Sequence, residues 1–380
     1  MRVAVVGLGT MGAQVLWQLA TRVGTGTEIV GYETYAPGHS RGAAGGETRL
    51  YRTLQYEDPG YAPIADLADE LYEVLAAESG MQVREISGSL LMGDPGVPDM
   101  RAALSAVESS HREYRVLDRA ESRKEFPQFD LDPGDLTIWD RDGGTIFPER
   151  TVYAAARAAE KAGAQIVRRA RVTAMAQCDD GSVRITANGE DQVFDRVVAA
   201  PGAWTRVLFP ELSGVFESRC LVSAWFLPQE PGHLAGVLPF IRMAPTYAYG
   251  LPYADRTAFK LGLGDSGDHI VENPDTAPHR VEERHLDGFR ECIARFMPGL
   301  EDYPMRLGTY FESFTRSGYE WVGPHPAMSN VVLLAGFSGH GFKMAPAFGR
   351  IGAELALDGA STIDLGFLAA GAASDVTTEK

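Results

Sequence analysis

The chain has 380 residues, 45% of them hydrophobic, and a formal net charge of −16. Its length predicts two domains rather than one simple core. The negative charge argues against nucleic acid or anionic membrane as the main partner, because both bind basic surfaces. No apolar run reaches the roughly 18 residues of a membrane span. The three cysteines lack metal-binding or disulfide spacing, so we expect a cytoplasmic protein without metal.

The first predicted element is a buried strand that leads into a glycine-rich turn. Residues 2–6 are apolar, the turn Gly7-Leu8-Gly9-Thr10-Met11-Gly12 follows, and helical periodicity extends to about Thr21. A second apolar stretch ends near Glu33, which stands where an acid binds ribose hydroxyls and repels the 2′-phosphate of NADP. This order predicts dinucleotide binding, with the pyrophosphate at the helix N-terminus. The alternative is a glycine turn in an unrelated α/β protein.

A loop rich in glycine, alanine and serine occupies residues 34–47. Such a loop suits backbone that passes close to a flat ligand. Arg49 and Arg52 follow it and would point the same way if this segment were helical, which would place a cationic spot beside the nucleotide. The alternative is a pair of solvated surface arginines.

The middle of the chain alternates between helical and strand patterns. Periodicity predicts helices over 59–79, 99–110 and 148–162, and a strand over 87–92. Strands are predicted over 172–178, 183–187 and 193–194, with Asn188-Gly189 as a hairpin turn. The apolar run after Asp195 ends in a glycine turn and predicts a parallel strand that returns to the first sheet.

Residues 216–310 predict mixed β structure with one helix over 281–296, as in an antiparallel sheet that covers a pocket. Strand alternation turns Lys260 away from Phe259 and Leu261, which favours a solvated face, and the alternative is an inward-facing lysine. A third buried strand over 330–336 enters a segment with three further glycines and Lys343, and a helix follows over 345–356. A cofactor domain assembled from three distant segments favours the long cofactor FAD over NAD.

Five motifs resemble the monomeric sarcosine oxidase and N-methyltryptophan oxidase family of D-amino-acid-oxidase-like flavoproteins. They are the glycine turn at 7–12, Gly46-Glu47-Thr48-Arg49-x-x-Arg52, Tyr249-Gly250-x-Pro252, Lys260-Leu261-Gly262 and Gly336-Phe337-Ser338-Gly339-His340-Gly341-Phe342-Lys343. The resemblance implies an α/β fold in which a Rossmann-type, glutathione-reductase-like FAD domain (1–80, 145–215 and 320–380) interleaves with a substrate domain on a mixed or antiparallel β-sheet (81–144 and 216–319).

The same resemblance implies an FAD-dependent amine oxidase that acts on an N-methyl or cyclic amino acid. Hydride transfer to flavin, followed by oxidation with O₂, would give an imine and hydrogen peroxide, and a monomer is expected. Three alternatives stay open. They are a dehydrogenase of this fold with another electron acceptor, a flavoprotein of this fold without amine oxidation, and an NAD-linked dehydrogenase.

The resemblance also implies site roles for matched residues. Arg52 and Lys343 would bind the substrate carboxylate, Lys260 and Arg49 would act at the flavin, and Tyr249 would line the substrate pocket with Tyr310. The implied cofactor contacts are Gly7, Gly9, Thr10, Met11, Gly12, Glu33, Gly46, Thr48, Arg49, Val172, Gly202, Trp204, Gly336, Gly339, His340, Gly341, Phe342 and Lys343.

Three positions depart from the family pattern. Tyr310 stands where these oxidases carry the cysteine that links covalently to flavin, so we expect FAD to be held without a covalent bond. Gly45 and Gly264 stand where the family carries histidines, which predicts a larger or differently shaped substrate site.

Overall fold

A computed structural model describes residues 1–24, 26–264, 269–277 and 281–369. The strands are β1 (Arg2–Val6), β2 (Glu28–Glu33), β3 (Arg49–Tyr51), β4 (Arg84–Ile86), β5 (Ser89–Gly93), β6 (Tyr114–Leu117), β7 (Leu136–Asp140), β8 (Gly144–Ile146), β9 (Gln165–Arg168), β10 (Val172–Gln177), β11 (Val183–Ala187), β12 (Glu190–Phe194), β13 (Arg196–Ala199), β14 (Phe216–Phe226), β15 (Phe240–Arg242), β16 (Ala248–Pro252), β17 (Phe259–Leu263), β18 (His269–Val271), β19 (Arg306–Thr315), β20 (Trp321–His325) and β21 (Met328–Ala335). The helices are α1 (Thr10–Arg22), α2 (Ala62–Ser79), α3 (Pro98–Ser109), α4 (Arg119–Glu125), α5 (Pro148–Lys161), α6 (Thr205–Leu208), α7 (Glu283–Phe296) and α8 (Ala345–Asp358).

The first sheet has the strand order β20-β21-β13-β1-β2-β9 within the described ranges. All of its neighbours run parallel except β20 and β21. β1 is buried on both faces, as its apolar sequence predicts: Val3 and Val5 pack with helices α1, α2, α5 and α8, while Ala4 and Val6 pack with the antiparallel sheet β10-β11-β12. The predicted return of β13 to β1 as a parallel neighbour is confirmed.

The second large sheet has the order β18-β14-β17-β16-β15-β5-β7-β6 in the described part of the chain, with β19 paired to β14. Its described pairings are antiparallel, except that β5 and β15 are parallel. Phe226, Phe240 and Phe259 of this sheet pack with Phe289 and Phe296 of α7, which confirms the predicted helix in this region. The sheet therefore has its own hydrophobic core.

The structure decides two local alternatives that the sequence left open. Arg49 lies in the short strand β3, which pairs with β8, so Arg49 and Arg52 are not on a helix. Lys260 is fully buried rather than solvated. Its strand β17 lies between β14 and β16 and is buried along both faces. Alternation separates two faces of a strand, but it indicates solvent only when one face of the sheet is open.

Two kinds of feature are absent from the described residues. No helix there is long and apolar enough to cross a bilayer. No group of histidine, cysteine, aspartate and glutamate side chains there could hold a metal ion.

Candidate cofactor and active site

The three glycine-bearing segments predicted to form a cofactor site meet at one cavity of about 390 Å³. It lies where parallel strands β1, β13 and β21 end, the place where α/β folds bind nucleotides. The predicted residues that line it are Gly7, Gly9, Thr10, Met11, Glu33, Arg49, Val172, Gly202, Trp204, Gly336, Gly339, Gly341 and Phe342. Segments far apart in the chain thus form one continuous site.

The turn between β1 and α1 is closely packed on one side and open on the other. Gly7 has a φ of +82°, and a Cβ on Gly12 would lie 1.8 Å from the Gly7 carbonyl oxygen. A Cβ on Gly9 would meet no atom within 4 Å, because Gly9 faces the cavity. Gly12 therefore serves helix packing, and Gly9 leaves room for a ligand backbone to approach.

Glu33 is nearly buried at the end of β2, with 3% of its surface exposed. Its carboxylate accepts hydrogen bonds from the backbone N–H groups of Leu8 (2.9 Å) and Tyr35 (2.8 Å). These bonds fix the carboxylate beside the glycine turn, and its oxygens have further lone pairs for ligand hydroxyls. A buried acid, an open glycine and a helix N-terminus fit the dinucleotide half of FAD.

The turn offers a matched pair of substitutions. Gly12→Ala should destabilise the fold by about 1–3 kcal/mol because its Cβ overlaps the Gly7 carbonyl. Gly9→Ala should leave the stability of the flavin-free protein unchanged but lower flavin content, because its Cβ enters the cavity. Thermal unfolding and the ratio of flavin to protein absorbance would measure both effects. Equal behaviour of the two variants would contradict this division of roles.

Lys260 stands on β17 of the second sheet, and its side chain reaches the loop that precedes β3. Its Nζ donates hydrogen bonds to the carbonyl oxygens of Gly46 (3.1 Å) and Thr48. Burial, followed by the charge of Arg49, holds the pKa of Lys260 well below its usual value. A fully buried amine with two carbonyl partners has one fixed position.

Arg49 and Tyr310 lie beside that lysine. The Arg49 guanidinium donates to the carbonyl oxygens of Thr48 (3.0 Å) and Ala43 (2.8 Å), and its central carbon lies 5.1 Å from the Tyr310 ring centroid. Tyr310 packs against Gly46, where a Cβ would lie 2.9 Å from its hydroxyl oxygen. The structure thus brings Arg49, Lys260 and Tyr310 together, and Arg49 connects this group to the cavity because it also lines it.

Tyr249 stands on β16, in register with Gly262 of β17. A Cβ on Gly262 would lie 2.1 Å from the Tyr249 ring, so that glycine makes room for the aromatic side chain. Burial raises the pKa of Tyr310, and the positive charge of Arg49 opposes this effect.

A second cationic pair, Arg52 and Lys343, meets at the carboxylate of Glu57. Arg52 is almost fully buried and forms an ion pair with Oε1 of Glu57. Lys343 Nζ lies 3.5 Å from the same oxygen and donates to the His340 carbonyl oxygen at 3.0 Å. Burial opposes ionisation of Glu57, but Arg52 and Lys343 overcome it and hold its pKa well below the usual value. Burial and Arg52 lower the pKa of Lys343 to about 8.

Some predicted cofactor contacts lie outside the cavity lining. Gly12 packs under the glycine turn, and Gly46 and Thr48 carry the carbonyl groups described above. His340 lies near the second cationic pair, with its Nε2 3.1 Å from the Gly318 carbonyl oxygen. Burial lowers the pKa of His340 to about 4, so it is neutral at physiological pH.

Sequence reasoning missed three acidic residues near this site: Glu57, Glu312 and Glu320. Glu57 joins Arg52 to Lys343, a contact between distant segments that no local pattern indicates. Glu320 is fully buried and accepts a hydrogen bond from the Tyr61 hydroxyl at 2.8 Å. Burial raises the pKa of Glu320 to about 7. Glu312 lines the cavity. It stands two residues after Tyr310 on one strand, so strand alternation could have predicted that its side chain lies on the same face as that of Tyr310.

This geometry defines an α/β protein with a dinucleotide cavity lined in part by Arg49, which lies beside the buried Lys260. Residues 2–355 match the family described as FAD dependent oxidoreductase (DAO), and the chain belongs to that family. The cofactor of the family is FAD, which decides against the NAD-linked alternative. The predicted family resemblance is confirmed.

Curated relatives match over nearly the full chain. The chain is 29% identical to monomeric sarcosine oxidase of Streptomyces avermitilis, over 96% of this chain and 95% of the relative. It is 24% identical to N-methyl-L-tryptophan oxidase of Citrobacter koseri, over 95% of this chain and 96% of the relative. It is 25% identical to peroxisomal sarcosine oxidase of Homo sapiens, over 95% of this chain and 93% of the relative.

Solved structures share the fold. The open form of NikD, an unusual amino acid oxidase, superposes with a TM-score of 0.82 at 22% identity, over 96% of each chain. L-proline dehydrogenase from P. horikoshii superposes with a TM-score of 0.83 at 19% identity, over 97% of this chain and 96% of that one. The predicted fold class is confirmed.

Proposed function

We propose that this protein is an FAD-dependent oxidase of an N-methyl or cyclic amino acid, with O₂ as electron acceptor and hydrogen peroxide and an imine as products. One observation carries the proposal: Arg52 and Lys343, two buried cations from distant segments, approach the same carboxylate oxygen of the half-buried Glu57. Two buried cations that converge on one carboxylate can bind the carboxylate of an amino acid in a fixed orientation.

The residues that line the cavity divide into two groups in this proposal. Gly9, Glu33 and Gly202 would hold the nucleotide part of FAD, and Arg49 would lie against the flavin ring. When bound, FAD accepts a hydride from the amine carbon and passes electrons to O₂. Lys260 would place a positive charge where negative charge develops on oxygen.

The substrate class follows from the relatives' names and from the shape of the site. Sarcosine and N-methyl-L-tryptophan, the substrates in those names, are both N-methyl amino acids. Neither glycine in place of a family histidine opens empty space: a Cβ on Gly264 would lie 3.1 Å from the Tyr247 ring, and one on Gly45 would lie 2.6 Å from the Ser40 carbonyl oxygen. Side chains at these two positions would meet their neighbours, which favours a differently shaped substrate site over an enlarged one.

We also propose that the flavin is held without a covalent bond, because Tyr310 replaces the linking cysteine. Acid precipitation of the purified protein should release all flavin to the supernatant, and Tyr310→Phe should retain the flavin content of the wild type. Absorbance of the supernatant measures both. Flavin that precipitates with the wild type but not with Tyr310→Phe would reveal a tyrosyl link.

Hydrogen peroxide release across N-methyl, cyclic and primary amino acids tests the proposed activity directly. A dehydrogenase of the same fold would be reduced by its substrate but barely reoxidised in air, which stopped-flow absorbance detects. A flavoprotein without amine oxidation would show no anaerobic bleaching with any amino acid in the panel. Sedimentation would test the expected monomer.

A further inference from the structure

Glu312 is a carboxylate at the cavity that the proposed mechanism leaves unused. It lies on β19 two residues after Tyr310, so the two side chains share one face of the strand. Glu312 lines the cavity together with Arg49. In the part of the chain that the structure describes, its carboxylate forms no hydrogen bond or salt bridge. Glu312 is half-buried at the cavity, so its carboxylate is open to a ligand partner there.

The charges around Glu312 do not neutralise it. Burial raises its pKa, and Arg49 and Lys260 act in the opposite direction without reaching it as ion-pair partners. Arg219 stands opposite on β14 but pairs with a glutamate of its own strand, and His340 is held neutral by burial. Glu312 therefore retains capacity to accept a hydrogen bond from a cationic group in the cavity.

The segment from Gly339 to Lys343 lies next to Glu312 at one end and carries one of the two proposed carboxylate-binding cations at the other. A Cβ on Gly339 would lie 3.9 Å from the Glu312 Oε2 atom, and the next residue, His340, accepts from Lys343 through its carbonyl oxygen. An amino acid carries its carboxylate and its ammonium on adjacent atoms. A site with two cations for the first and a free carboxylate for the second is complementary to such a zwitterion.

We propose that Glu312 binds the amine nitrogen of the substrate and accepts its proton, an assignment that rests on the proposed amino-acid substrate. The carboxylate accepts a hydrogen bond from the substrate N–H. In the proton transfer, that N–H bond breaks, an O–H bond forms on Glu312, and the electron pair stays on nitrogen. The neutral amine is the form from which hydride can leave carbon, because the nitrogen lone pair then forms the C=N bond.

The test compares two ligands that differ at the amine. N-methylglycine has an ammonium, whereas methoxyacetate has an ether oxygen in the same place and the same carboxylate. Each is titrated into flavin-loaded protein without oxygen, and binding is read from the flavin spectrum, or from saturation of the reduction rate for N-methylglycine. Proline and tetrahydrofuran-2-carboxylate form a second matched pair.

Glu312→Gln should weaken the amine ligand about 10- to 100-fold, the loss expected for a charge-assisted hydrogen bond, and leave the ether ligand unchanged. It should also remove the acidic limb of the pH profile of flavin reduction. Glu312→Asp keeps the charge and should retain part of the selectivity. Glu149→Gln is the control, since Glu149 also influences the charge of Lys260 but does not line the cavity.

The outcomes separate this inference from the proposed function. Selective loss of the amine ligand in Glu312→Gln, with normal flavin content, supports the assignment. Equal weakening of both ligands, or no weakening of either, overturns it while the oxidase proposal stands. Failure of the wild type to bind any of the four ligands overturns both proposals together.

Discussion

Replacing Lys260 with methionine is expected to slow reoxidation of the reduced flavin by O₂ about 10²- to 10³-fold, the effect of removing one preorganised charge from a developing anion. Lys260 is fully buried, and its Nζ is held by two carbonyl groups, so the charge has a fixed position. Methionine has similar length and fills the same space without the charge. Stopped-flow mixing of reduced protein with oxygenated buffer measures the rate.

The reductive half-reaction is the internal control for this variant. Flavin reduction by substrate without oxygen should change far less, because Arg52 and Lys343 are left intact. Slower reduction of the flavin with normal reoxidation would contradict the proposed role of Lys260 in the reaction with O₂. A general loss of folding would appear first as reduced flavin content.

The pH dependence of reoxidation has a definite sign. Burial and Arg49 hold the pKa of Lys260 well below its usual value, so the amine loses its proton at a lower pH than an exposed lysine. Reoxidation should therefore be fastest at low pH and fall as pH rises through that depressed pKa. The Lys260→Met variant should lack this dependence, and a wild-type rate that rises with pH would contradict the electrostatic role.

Sequence reasoning succeeded where the structure is decided locally. The turn from Gly7 to Gly12 was predictable because strand, turn, helix and acid follow one another within a short segment. Proline at the start of α5 likewise marked a helix boundary. These elements depend on neighbours in sequence.

Predictions failed where distant segments decide the environment. Alternation favoured a solvated face for Lys260, but that face is buried, because the burial of β17 depends on β14 and β16. Glu57 was missed, because its role depends on a contact with Lys343, which lies near the other end of the chain. The family resemblance supplied the role of Lys260 that periodicity alone did not. Long-range packing is thus the information that a single sequence carries least clearly.

Arg52→Ala is expected to weaken binding of a substrate carboxylate by about 2–4 kcal/mol, about 30- to 1000-fold in Kd, because it removes one of two buried cations from the carboxylate site. Lys343→Met should have an effect in the same direction. Anaerobic titration with methoxyacetate, which has a carboxylate but no amine, measures the contribution of the carboxylate to binding alone. Unchanged affinity in both variants would contradict the carboxylate assignment.

A structural loss must be separated from a binding loss, because Arg52→Ala also removes the main partner of Glu57. The double variant Arg52→Ala/Glu57→Gln removes the uncompensated charge and should recover stability in thermal unfolding without recovering carboxylate affinity. Arg84→Ala is a matched control, because Arg84 is a buried cation paired with Asp69 and Glu73. It should lower stability and leave ligand affinity unchanged. If the double variant instead recovers affinity, Glu57 rather than the lost cation limits binding, and Arg52 is a structural residue.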